Sequence, residues 1–122
     1  MNVELAKQLI QKYVDGWKEN DIEKIIAPLS DECVIIESHG PTYQGIKQVK
    51  KWFEYWVQEK GRVIRWEITS FYFLGEENTA FFEWDFTCNA AGKGHELLGI
   101  SLVKFSGGKI SFLHEYRMTK KS

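Results

Sequence analysis

The sequence predicts an α+β domain with helices on one face of a curved antiparallel sheet, in the order α-α-β-α-β-β-β-β. Two observations carry this prediction. Up to Gly61 apolar residues recur at three- and four-residue steps, and beyond it they recur at every second position. Turn residues at Gly75 to Asn78, Asn89 to Gly94 and Gly107-Gly108 then divide the second half into strands. Connections this short make neighbours antiparallel, because a parallel return needs a crossover of roughly a dozen residues.

Leu5, Leu9, Ile10, Tyr13, Val14 and Trp17 give the first helix one apolar stripe and carry it to about Glu19. Asn20 is placed to cap a short second helix, with Glu23 at the third position. Ile22, Ile25, Ile26 and Leu29 continue the period until Pro28, which lacks an amide donor, stops it. The β-branched run from Cys33 to Glu37 suits a strand, and His39-Gly40-Pro41-Thr42 ends it as a turn. Ile46, Val49, Trp52, Phe53, Trp56 and Val57 make the third helix, with Lys60 in its last turn and Gly61 as its cap. Four strands follow, at about 62 to 74, 79 to 89, 95 to 106 and 109 to 119. The Gly107-Gly108 pair suits a two-residue hairpin whose central positions both need positive φ.

A chain of 122 residues suits one domain, 1–122, with a core that needs no metal or disulfide staple. Its 43 % apolar and 27 % charged residues exclude disorder, collagen and coiled coil. Sixteen Lys and Arg against seventeen Asp and Glu leave no basic excess, so a nucleic-acid partner is not expected. No apolar run is long enough for a membrane span. Cys33 and Cys88, without a Cys-x-x-Cys motif or a secretory leader at Met1-Asn2-Val3-Glu4, read as reduced thiols of a cytoplasmic protein. Phe, Trp and Tyr reach 15 %, enough large flat side chains either to fill a core or to line a cavity.

The order of elements resembles the nuclear transport factor 2-like superfamily, particularly its SnoaL-like and ketosteroid isomerase-like members, over nearly the whole chain. The segments that carry the resemblance are Tyr13-Val14-Asp15-Gly16-Trp17, Asn20-Asp21-Ile22-Glu23, Ser30-Asp31-Glu32, Gly45, and Phe105 to Ile110 followed by Glu115-Tyr116. The resemblance implies a cone-shaped sheet closed by three helices around an apolar pocket. It is consistent with isomerases, cyclases, epoxide hydrolases, dehydratases and binding modules. The family's enolate-binding tyrosine falls on Tyr13 and its carboxylate base on Glu37. Its second donor, a protonated aspartic acid, falls on Ser101, and its two supporting tyrosines fall on Leu29 and Phe53.

Strand alternation puts Glu37 on the side shared with Cys33 and Ile35. Facing a pocket, it would lose solvation and become a better proton acceptor; facing the rim, it would pair with a lysine. Tyr13 shares a stripe with Leu9 and Trp17, where its hydroxyl would donate to a developing oxyanion or satisfy a backbone carbonyl. His39 lies two residues beyond Glu37 and would orient it, transfer protons, or simply end the strand. The resemblance points Glu115 and Arg117 into the pocket as a polar anchor. The apolar pattern of Phe112, Tyr116 and Met118 points them outward instead. Trp17, Phe82, Trp84 and Phe86 are the expected pocket walls, with Phe53 and Ser101 as further substrate contacts, and core packing is the other use for such rings.

His95-Glu96-Leu97-Leu98-Gly99 begins like a zinc-protease helix, yet it lacks the second histidine and reads as a strand. No metal and no cofactor are expected. Leu98, Ile100 and Leu102 alternate with the equally apolar Leu97, Gly99 and Val103, so a second surface must cover the outer face. A homodimer through that face is expected, unless the curved sheet buries it itself. The expected function is a cofactor-independent isomerase, cyclase or hydratase acting on a small apolar, cyclic or carbonyl-bearing ligand. The alternative is a binding or dimerisation module of the same fold.

Overall fold

The computed structural model describes residues 1–118. Helix α1 spans Val3–Glu19 and begins where the Asn2 side chain accepts from the Leu5 amide at 2.8 Å. Its apolar stripe is buried through Ala6, Ile10, Tyr13, Val14 and Trp17. Asn20 does not cap the second helix. It takes a left-handed φ of 52° and ends α1, while Asp21 caps α2 (Ile22–Ile26) by accepting from the Lys24 amide. The first strand, β1, runs Leu29–Ile36, longer at its start than its β-branched run and ending one residue before Glu37.

The turn at His39 to Thr42 leads into a strand that the sequence pattern does not predict, β2 (Thr42–Gln44), antiparallel to β1. Helix α3 spans Gly45–Gln58. Lys60, rather than Gly61, takes the positive φ after it, at 56°. Gly61 serves another purpose, since the ring of Trp56 lies where a β-carbon would stand.

Four long strands follow: β3 (Arg62–Leu74), β4 (Thr79–Ala90), β5 (Lys93–Ser106) and β6 (Lys109–Arg117). The expected end of the last strand at position 119 lies outside the described residues. These four pair antiparallel with one another in chain order, and Gly107 and Gly108 form the β5–β6 turn with φ of 59° and 75°. The first strand lies parallel to β6, which gives one curved, unclosed sheet in the order β2-β1-β6-β5-β4-β3. Helix α1 packs on β3 and β6, and α3 on β1 and β2, so the helices cross the concave face. The core between them contains Ile10, Val14, Ile25, Ile35, Val49, Phe82, Val103, Ile110 and Leu113, each at most 1 % exposed.

Candidate functional site

At one end of the concave face this core opens into a cavity of about 420 Å³. All five tryptophans of the chain border it: Trp17 from α1, Trp52 and Trp56 from α3, Trp66 from β3 and Trp84 from β4. The rings meet edge to face or tilted. Trp17 lies 4.5 Å from Trp52 and 6.0 Å from Trp56, and Trp66 and Trp84 lie 5.3 and 6.2 Å from Phe86.

Two of these rings are fixed by hydrogen bonds. Trp56 Nε1 donates to Asn20 Oδ1 at 2.8 Å, and Asn20 Nδ2 donates to the Gly61 carbonyl at 3.1 Å. The left-handed turn after α1 therefore holds the α3 wall. Trp84 Nε1 donates to Ser101 Oγ at 2.9 Å, and the bare Gly99 lets that ring lie on β5, because a β-carbon there would collide with it. Among the described residues the indole nitrogens of Trp17 and Trp66 are buried without a hydrogen-bond partner.

The polar groups are few. Glu37 follows β1 at the start of a tight turn, in which its amide donates to the Pro41 carbonyl at 2.9 Å. That turn brings β2 back beside it, and the Tyr43 hydroxyl donates to Glu37 Oε1 at 2.6 Å. The Tyr43 ring stacks on Trp52 at 4.2 Å and 4° between planes, so the carboxylate is oriented from the aromatic wall. His39 Nδ1 lies 3.9 Å from Glu37 Oε2, with the histidine side chain 56 % exposed and that of Glu37 20 % exposed.

Glu115 comes from β6, in register with Ser101 on β5. Burial first, and then the charge of Glu37, push its carboxyl up to about 8. The acid therefore keeps its proton at neutral pH, which makes it a hydrogen-bond donor rather than an acceptor only. Burial also raises the Tyr13 hydroxyl well above its ordinary value, and the charges of Glu115 and Glu37 raise it further. The Trp17 indole offsets this in part, although its N–H does not reach hydrogen-bond geometry with the oxygen. Tyr43 is raised by burial and by its bond to Glu37. Burial likewise raises the Cys33 and Cys88 thiols, which makes both poor nucleophiles.

Of the residues singled out from sequence, Tyr13, Trp17, Glu37, His39, Trp84, Phe86, Glu115 and Arg117 border the cavity together. Three do not. Phe82 is 0 % exposed and lies deeper along β4 in solid core. Ser101 is also 0 % exposed, and its hydroxyl is taken by Trp84. Phe53 packs on Trp17 at 5.9 Å and does not reach the lining.

Glu115 takes the inward side of β6 with the buried Leu113, while Tyr116 points out at 48 % exposure. The apolar pattern of β6 therefore points the wrong way. Sequence reasoning missed Trp52, Trp56, Trp66, Cys88, His95 and Leu97 in the lining, and Tyr43 behind Glu37. The i, i+4 pair Trp52 and Trp56 was visible as one helix face. Among the described residues no group of three or more His, Cys, Asp or Glu is arranged to hold a metal ion. No helix there is long and apolar enough to cross a membrane.

A shell of three helices over one curved six-stranded sheet is a fold that many solved structures share. The chain belongs to the SnoaL-like domain family, whose model matches residues 10–113, within the ketosteroid isomerase-like and nuclear transport factor 2-like superfamily. No curated protein matches the sequence. Solved structures share the fold at low identity. One is an LEH-like epoxide hydrolase from M. tuberculosis, with TM-score 0.81 and 12 % identity over 94 % of this chain and 84 % of that one. A protein with a ketosteroid isomerase-like fold from Catenulispora acidiphila, in complex with trimethylamine, gives 0.75 and 14 % over 89 % and 84 %. A protein of unknown function with a cystatin-like fold from Methylobium petroleophilum gives 0.78 and 22 % over 100 % and 81 %.

Proposed function

We propose that the chain is a small enzyme that moves protons on an apolar, cyclic or carbonyl-bearing metabolite held in the tryptophan-lined cavity. Glu37 is the base, oriented by Tyr43 and approached by His39. Tyr13 and the protonated Glu115 donate hydrogen bonds to the oxygen that gains charge as the proton leaves. Exposed Arg117 at the rim steers an anionic substituent. The observation that carries this reading is the placement of two carboxyls in one tryptophan-lined cavity, Glu37 held by Tyr43 and Glu115 raised by burial and by the charge of Glu37. The epoxide hydrolase likeness is compatible with it at the level of fold only.

The test is solvent-proton exchange. In D₂O the protein should load deuterium next to the carbonyl of small cyclic ketones, read by proton NMR, at least about 100-fold faster than buffer. Ketones that raise the melting temperature without exchanging would leave a binding module, the second reading, which the displacement of the family's second donor position by Ser101 favours.

We also propose a homodimer through the outer sheet face. Leu98 at 40 % and Tyr116 at 48 % exposure, beside Ile100, Leu102 and Phe112, form an apolar row that no helix covers. Light scattering at micromolar concentration should give twice the chain mass of 14.3 kDa, and a monomer would end the proposal. The two free, buried cysteines suit a reducing cytoplasm.

A further inference from the structure

Five tryptophans are more than an apolar ligand needs, because aliphatic side chains exclude water equally well. Indole rings add a negative quadrupole, and five of them line the cavity that two carboxyl groups also border. The cavity supplies little to balance that potential. Among the described ion pairs Glu37 meets only His39, at 3.9 Å, and Glu115 forms none. The cationic groups in the lining, His39, His95 and Arg117, are all exposed at the rim.

We propose that the ligand of this cavity carries a compact organic cation, a tertiary or quaternary ammonium group, seated among the tryptophan rings and facing Glu37 and Glu115. This rests on the reading of the cavity as a ligand site and names the chemistry it selects. The ammonium supplies the positive charge that the interior lacks and is held by the ring faces without a directional hydrogen bond. An ammonium next to a carbonyl also lowers the cost of removing the proton between them, which fits Glu37 as base.

Binding is linked to pH through Glu115. At neutral pH the carboxyl keeps its proton and donates to the ligand oxygen, and once it ionises above about pH 8 its charge holds the cation more tightly. The other titratable or charged groups facing it are Tyr13 from α1, Glu37 from the turn after β1 and Tyr43 from β2, with Cys88 from β4 in the same cavity wall. His39, His95 on β5 and Arg117 on β6 face it from the rim.

Calorimetry with choline and with its neutral isostere 3,3-dimethylbutan-1-ol tests the proposal on the intact chain. Choline should bind about tenfold tighter or more and should tighten several-fold from about pH 6.5 to about pH 9, while the isostere stays weak and flat. Glu115→Gln should flatten most of choline's pH dependence and keep its preference over the isostere, and Trp52→Leu should weaken choline more than the isostere. Equal binding of both probes overturns the cation and leaves a general apolar pocket. Binding of neither overturns it as well, and the deuterium exchange then decides separately whether the acid–base reading stands.

Discussion

Replacing Glu37 with Gln is expected to slow deuterium exchange by about 10³-fold while moving the melting temperature by no more than a few degrees. The amide is isosteric with the carboxylate, and its oxygen still accepts from Tyr43, so the turn after β1 keeps its 2.6 Å anchor. What is lost is the proton acceptor that the proposal places in the aromatic enclosure. The variant carries a second signature. The Glu37 charge is one of the two causes that raise Glu115, so its removal brings the Glu115 carboxyl down. Retained exchange with an unchanged fold would remove Glu37 from the mechanism and shift attention to Glu115 or His39.

Replacing Glu115 with Gln is expected to stabilise the protein increasingly as pH rises above about 5, with the full effect in alkaline solution. In the folded chain this carboxyl is pushed up to about 8 from an ordinary 4.5. Below about pH 4.5 it is protonated in both states and contributes nothing to the pH dependence. As pH rises through the window from 4.5 to 8 only the unfolded chain ionises, so stability drains away by up to about 4 kcal/mol. Gln removes that penalty and adds a small constant cost for a buried amide, leaving a net gain of about 2–3 kcal/mol near pH 8.5. For a domain of this size that corresponds to roughly 10 °C in melting temperature, shrinking to nothing or reversing near pH 4.5. The same variant should exchange protons more slowly, because a carboxylic acid donates more strongly than an amide.

The architecture was legible because helical spacing before Gly61 and alternation after it are period signals repeated over many residues. Features shorter than one period were not. Strand β2 has three residues, too few to alternate, and it carries the tyrosine that orients Glu37. Asn20 reads as the cap of the second helix and instead ends the first. Its left-handed φ settles that, together with its bonds to Trp56 and Gly61.

Alternation also tells which face a side chain takes but not how deep it lies. Phe82, Trp84 and Phe86 share a face of β4, yet Phe82 is in closed core and the other two reach the cavity. Composition misled outright on β6, where the outward row of Phe112, His114 and Tyr116 is more apolar to the eye than the inward Glu115. The apolar exterior stacks on itself, with the His114 and Tyr116 rings 4.1 Å apart, and so hides the inward carboxyl from any pattern of hydropathy.

Carbon-13 NMR of glutamate-labelled protein, with Glu115→Gln to assign the resonance, reads the state of that carboxyl across pH. The side-chain carboxyl of Glu115 should titrate near 8 and move down in Glu37→Gln. A midpoint between about 4 and 5, indifferent to Glu37, would mean a solvated acid and no donor in the cavity.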